Sequence, residues 1–241
     1  MLVRILLCLS CLAAAVPAEA MTVSPIHIEM NAVGQRNRAQ ITVVNTSSAP
    51  LPLEALLMAA TFDEDGRPTT SKADGDFLVM PPQALIPPGA TQNFRIHWLG
   101  NPMMETSRSY LLYFSQVPVK AAKGKIGVQV VMSVGVLINV APARGTTRLE
   151  VVSSGFAAGA AGQRKPRITV ANRSNVHGQL RQTTIRLTDG KWSAVLPPGT
   201  IEQTIGIGLV QPGRRRHFTL PVELPPGVGR LRVDLETTPR R

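Results

Sequence analysis

The amino-acid sequence predicts an all-β chain made of two similar sandwiches in tandem. Three observations carry this expectation. The 241 residues include 20 Gly and 20 Pro, with aromatics at only 4%, and Val, Ile and Thr are abundant with no long helical period. Apolar residues alternate with polar ones in several short runs, the period of a strand with one face buried. The chain also repeats itself. "ITVVNTS" (Ile41–Ser47) returns as "ITVANRS" (Ile168–Ser174), and "LIPPGATQNFRI" (Leu85–Ile96) returns as "LVQPGRRRHFTL" (Leu209–Leu220).

In each copy an alternating strand ends at Asn, a residue whose side chain can close a strand by local hydrogen bonding. A Pro-Gly turn then launches another alternating strand, with Phe94 and Ile96 in one copy and Phe218 and Leu220 in the other. The repeat is too long for a solenoid unit. It fits two immunoglobulin-like sandwiches, whose strands and turns recur at this spacing.

The N-terminal segment "MLVRILLCLSCLAAAVPAEA" has Arg4 near its start, an apolar run over Ile5–Val16, and Ala18-Glu19-Ala20 as a small-x-small site. It reads as a secretory signal peptide of residues 1–20, too short to span a membrane as a helix. The residue three before Cys11 is Cys8 and not an aliphatic, which argues against lipidation. Both cysteines lie within this segment, so the exported chain is expected to hold its fold by its core alone. The formal charge of +11 survives removal, because Arg4 and Glu19 leave together. Export makes nucleic acid an unexpected partner, and an acidic surface or a carboxylate suits the charge better.

"KIGVQVVMSVGVLINVAP" (Lys125–Pro142) carries an apolar residue at every even position from Ile126 to Val140. A strand of this length exceeds the usual five or six residues. The preceding loop bears Lys120, Lys123 and Lys125, charges that discourage an edge from pairing with itself. "APARGTT" (Ala141–Thr147) is expected to end the pairing, with Pro142 unable to donate to a ladder. This divides the chain into a domain of residues 21–143 and a second of 144–241. "SSGFAAGAAGQRKP" (Ser153–Pro166) reads as a loose loop within the second, and "TTPRR" (Thr237–Arg241) as a basic tail.

Catalytic chemistry finds no footing. The four histidines, His27, His97, His177 and His217, are scattered without metal-ligand spacing, and no nucleophile elbow surrounds a serine. "FDEDGRPTTSKADGD" (Phe62–Asp76) places Gly66 and Pro68 at the wrong offsets for an EF-hand, and is expected to be a solvated hairpin turn. "PGRRRHF" (Pro212–Phe218) reads as a basic turn, solvated or free to meet an acidic surface. No enzyme, metal or cofactor is expected.

In order along the chain, several pieces resemble the PapD-like periplasmic chaperones of pilus assembly. They are "VSPIHIEM", "GQRNRAQITVVN", "DFLVMPPQALIPPGATQNFRI" with its Arg95, "SYLLYFSQVPV", and the long alternating strand ending at Pro142. The resemblance covers most of residues 22–145, and in the second domain only "VANRSNVHG" and "LVQPGRRRHF". It implies two sandwiches in an L-shaped arrangement, a periplasmic location, pilus subunits and an outer-membrane usher as partners, and no membrane insertion. It also gives the long strand a use. The chaperone lends it to an incomplete subunit, a recognition mode known as donor-strand complementation. Counting from Pro142, the lent side chains are Ile126, Val128, Val130, Met132 and Val134, and the same edge could mediate self-association. The even positions Val136–Val140 are expected to face the chaperone's own core.

The resemblance further implies a pair of basic residues between the domains that grip the subunit's terminal carboxylate. Here the sequence departs from the pattern. The donor-strand position falls on Leu137, the first-strand position on His27, and an Arg that precedes the final Pro in relatives is Ala141. His27, Arg95 and Arg108, with Arg144 beyond them, are the candidates to supply the anchor. Such departures are similar to those of divergent, archaic-type or orphan branches. A secreted two-domain binding or structural module, with residues 126–140 as ordinary core, is the alternative, and a metal-assisted hydrolase a distant third.

Overall fold

The computed structural model describes residues 21–73, 75–118, 131–158 and 163–237. The predicted signal peptide, the Lys-bearing loop and residues Ile126, Val128 and Val130 lie outside them.

Among the described residues, ten strands form the first sandwich: β1 (Met21–Ser24), β2 (His27–Asn31), β3 (Arg38–Asn45), β4 (Leu51–Phe62), β5 (Pro68–Lys72), β6 (Phe77–Met80), β7 (Gln83–Ile86), β8 (Thr91–Trp98), β9 (Arg108–Gln116) and β10 (Ser133–Ala141). One sheet has the order β1-β3-β8-β6, and the other runs β2-β10-β9-β4-β5 with β7 also on β4. The run "VSPIHIEM" is therefore two strands. β1 pairs antiparallel with β3, and β2 crosses to the other sheet and pairs parallel with β10. Pro25 lies at the crossing, where a residue without an amide donor interrupts the ladder.

Alternation decides what is inside. Val136, Ile138 and Val140 of β10 are fully buried, together with Leu112 and Phe114 of β9 and Ile41, Phe94 and Ile96 of the facing sheet. The rings of Phe94 and Phe114 meet edge to face at 4.7 Å, a favoured aromatic geometry.

The second unit contains β11 (Leu149–Ala158), β12 (Arg164–Asn172), β13 (Gly178–Gln179), β14 (Thr183–Thr188), β15 (Ser193–Leu196), helix α1 (Pro198–Ile205), β16 (Leu209–Val210), β17 (Arg215–Thr219) and β18 (Arg232–Thr237). Its own core gathers Ile168, Val170, Leu180, Ile185, Leu187, Ile201, Phe218 and Leu220. α1 has no counterpart in the sequence expectation. Pro198 suits the first helical position, and Ile201 is the residue it buries. The Gly/Ala-rich stretch expected as a loose loop is mostly ladder. β11 pairs with β12 through Ala158 and Arg164, and the Arg164 guanidinium lies 3.9 Å from the Phe156 ring centroid. Of this stretch, only residues 159–162 lie outside the described residues.

The repeated Asn does the same work in both units. Asn45 Nδ2 donates to the carbonyls of Ala49 (2.8 Å) and Ile86 (2.9 Å), while its Oδ1 accepts from the amide and hydroxyl of Ser47. Asn172 Nδ2 donates to Val176 (2.8 Å) and Val210 (2.9 Å), and its Oδ1 accepts from Ser174 in the same two ways. The Pro-Gly turn closes back onto each Asn, Gly89 donating to Asn45 O and Gly213 to Asn172 O. Both glycines have φ near +70°, a conformation that favours glycine. Replacing either Asn by Ala strands several buried backbone groups at once. A stability loss of about 3 kcal/mol is expected for each, measured by denaturant unfolding, with the Ser47→Ala and Ser174→Ala variants losing far less.

Candidate functional site

In the half of β10 that pairs with β2, Leu137 and Asn139 point away from the core. β2 lies beside them in parallel register, His27 across from Leu137 and Glu29 across from Asn139. The two-residue period of both strands thus puts His27, Glu29, Leu137 and Asn139 on one outer face. The second unit supplies His177, Gln179 and Arg181 to the same place, from β13 and the turn after it.

Glu29 is the centre of this junction. Its Oε1 accepts from His27 Nε2 (2.8 Å), Asn139 Nδ2 (2.9 Å) and Gln179 Nε2 (2.6 Å), and its Oε2 from His177 Nε2 (2.6 Å). Burial alone would raise its pKa, but the hydrogen bonds from His177 and His27 outweigh it and hold the carboxyl well below the usual range. His177 is wholly buried, and Ser107 completes its surroundings, with its hydroxyl 3.1 Å from Nδ1. On the other side, Arg181 Nη2 donates to His27 Nδ1 at 2.9 Å, which assigns the ring proton of neutral His27 to Nε2. Arg181 also donates from Nε to Gln179 Oε1 (3.0 Å) and from Nη1 to Glu202 on α1 (2.8 Å).

A second contact joins the units at the far edge of the same sheet. The turn between β4 and β5 was expected to be solvated, and "PGRRRHF" to be a solvated or free basic turn. Instead they meet. His217 donates its amide to Glu64 O (2.6 Å) and its ring faces Glu64 and Asp65, each at 3.2 Å. Arg215 pairs with Glu64 and Arg167 with Asp65. Gln211 bridges to Phe62 N and Ala60 O (2.9 Å each). Arg216 lies so close over Gly66 that a Cβ there would fall 2.0 Å from Nη2. Opposite charges explain the pairing: an acidic turn and a basic strand are brought together by the domain arrangement, which no local pattern encodes. Among the described residues, no group of His, Cys, Asp and Glu is placed to hold a metal ion.

β10 is paired unequally along its length. β9 accompanies it from Ser133 to Val140, but the β2 ladder begins only at Leu137. Among the described residues, Ser133–Val136 have no strand on that side. Leu137 N donates to Ile26 O, so by alternation the amides of Ser133 and Gly135 point to the same side, which no described strand covers. Met132 and Val134 are half-buried against the first core, and Val131 is exposed.

Of the anchor candidates, His27 lies at this junction, where the open lane meets the second unit. Arg95 does not. It sits on the outer face of the other sheet, in an open groove of about 790 Å³ with Arg38, Leu78, Met80 and His97. Arg108 pairs with Asp76 at 3.4 Å, beside the Tyr110 hydroxyl. Arg144 lines a separate groove with Met103 and Asn175. Arg181 was missed by the sequence reading. The signal was there in "VHGQLRQ", where His177, Gln179 and Arg181 fall at every second position, a polar face that needed a partner.

The chain's fold is similar to that of several solved fimbrial chaperones. The class 5 fimbriae chaperone CfaA is 13% identical, with 91% of this chain and 100% of that one covered at a TM-score of 0.53. A chain from the Salmonella enterica complex of SafA pilin with the SafB chaperone is 16% identical, covering 84% and 85% at 0.52. The Pseudomonas aeruginosa CupB2 chaperone is 13% identical, covering 90% and 99% at 0.50. No curated protein matches the chain in sequence. The family model for the pili and flagellar-assembly chaperone PapD N-terminal domain matches residues 20–144. Since this match takes in more than half of the chain and all of the first sandwich, the protein belongs to the PapD-like pilus assembly chaperones.

Proposed function

We propose that this chaperone caps incomplete pilus subunits by lending them the open edge of β10, and passes them to an outer-membrane usher. Residues 1–20 direct export to the periplasm and are removed. Residues 21–143 form the domain that lends the strand, and 144–241 the second domain, which builds the other half of the junction. Ile126, Val128, Val130, Met132 and Val134 enter the subunit's groove. His27 marks the place where the subunit's chain ends, while Arg95 and Arg108 lie apart from it. No cofactor takes part.

The observation that carries this reading is the unequal pairing of β10. Strand addition needs an edge with free donors and acceptors beside an apolar row, and Ser133–Val136 offer the edge while Met132 and Val134 continue the row. Val136, Ile138 and Val140 are fully buried inside the sandwich, whereas Met132 and Val134 are only half-buried against it, so the strand's deepest core contacts lie outside the set to be lent. The SafA–SafB complex, of similar fold, holds a pilin with its chaperone.

The test is capture from the organism's own periplasm. The tagged full chain is expected to bring down, one to one, a subunit whose sequence stops short of a complete sandwich, identified by mass spectrometry. A chain that emerges alone from cells making such subunits contradicts the proposal.

A further inference from the structure

Resting on the reading of β10 as a lent edge, we propose that Glu202 is an internal stand-in for a client's terminal carboxylate: it occupies Arg181 in the free chain and is displaced on binding. The direction of the open lane carries the first step. β2 runs parallel to β10 and begins at His27. A strand added beside Ser133–Val136 in the same direction occupies the lane just upstream of β2, so its C-terminal end arrives at Ile26 and His27. The guanidinium of Arg181 is 2.9 Å from His27. A parallel client strand therefore delivers its carboxylate to Arg181.

What holds Arg181 before that shows which chemistry it takes. Its Nε and Nη2 are bound to Gln179 and His27, both buried or nearly so, and these bonds fix the plane of the fork. Nη1 is bound to a carboxylate already, the Oε1 of Glu202, whose side chain is 55% exposed against 24% for Arg181. Glu202 contributes one oxygen to one nitrogen. Exposed single-contact ion pairs are weak and exchange readily, whereas a carboxylate that meets the planar fork with both oxygens gains direction as well as charge. Leu137 brings no cation to the end of the lane, and His27 has both ring nitrogens engaged within the junction, Nε2 with Glu29 and Nδ1 with Arg181. Arg181 supplies the positive charge from the other unit, and Glu202 keeps it neutralised until a client arrives.

Two synthetic peptides test this on the full exported chain. Both carry apolar residues at alternate positions; one ends in a free carboxylate and the other in an amide. The acid peptide is expected to bind roughly tenfold more tightly than the amide. Glu202→Gln is expected to tighten the acid peptide about fivefold and leave the amide unchanged, and Arg181→Gln to erase the preference. Independently of affinity, the carboxyl ¹³C resonance of Glu202 moves when the acid peptide is added and stays still with the amide. If both peptides bind equally and Glu202→Gln changes nothing, the stand-in is wrong while strand lending survives. If neither peptide binds, strand lending fails and the stand-in falls with it.

Discussion

Replacing Val128, Val130 and Met132 together by Thr leaves the chaperone folded and strips it of its client. Each apolar side chain taken into a subunit's groove is worth about 1.5–3 kcal/mol, so losing three weakens capture by roughly a thousandfold or more. The sandwich barely notices. β10's fully buried share of its core is Val136, Ile138 and Val140, Val134 is untouched by the change, and Met132 is only half-covered. Thr keeps β-branching at each position, which suits a strand. Circular dichroism and denaturant unfolding are expected to match the unmodified chain while affinity capture returns no subunit. A variant that fails to fold would instead make these residues ordinary core.

Replacing Glu29 by Ala has the opposite signature, disturbing the molecule and not only its binding. One carboxylate accepts from His27, Asn139, Gln179 and His177. Removing it leaves those groups facing each other across the boundary between the units, a loss of about 3–5 kcal/mol. Glu29→Gln keeps the volume and one acceptor and is expected to cost less. The acid limb of the stability profile follows from the same residue. Its folded pKa is depressed, so its contribution is complete above the unfolded carboxylate pKa of about 4.3 and is lost as pH falls below it. Thermal unfolding between pH 6 and pH 3 is expected to show a decline that is shallower in Glu29→Gln. Equal slopes in the two proteins would remove Glu29 from this role.

The strands were legible wherever one face is buried, because burial writes a period of two into the sequence. Val136, Ile138 and Val140 face inward as their alternation requires, and Asn45 and Asn172 close their strands by matching hydrogen bonds. The family pattern pointed to His27 and Leu137 as the positions of an anchor, one on each strand, and in the structure the two are register partners. Contacts between the units were not legible. Arg181 meets His27, and His217 meets Glu64, across more than 150 positions. Neither pairing leaves a local mark, since an exposed charge and a charge docked on another domain look alike in a sequence. The hairpin of β11 and β12 was hidden for another reason. Ser, Gly and Ala are poor strand formers by composition, and pairing together with the Arg164–Phe156 contact overrides that preference.

The edge of β10 can be examined directly by hydrogen exchange at single residues. With the chain dilute enough to be monomeric by sedimentation, the amides of Val134 and Val136, which face β9, are expected to be protected, while those of Ser133 and Gly135 exchange quickly; in complex with a subunit all four become slow. Ser133 and Gly135 amides already as protected in the free monomer as their neighbours would show the lane to be filled by the chain itself, and would contradict the lending of this strand.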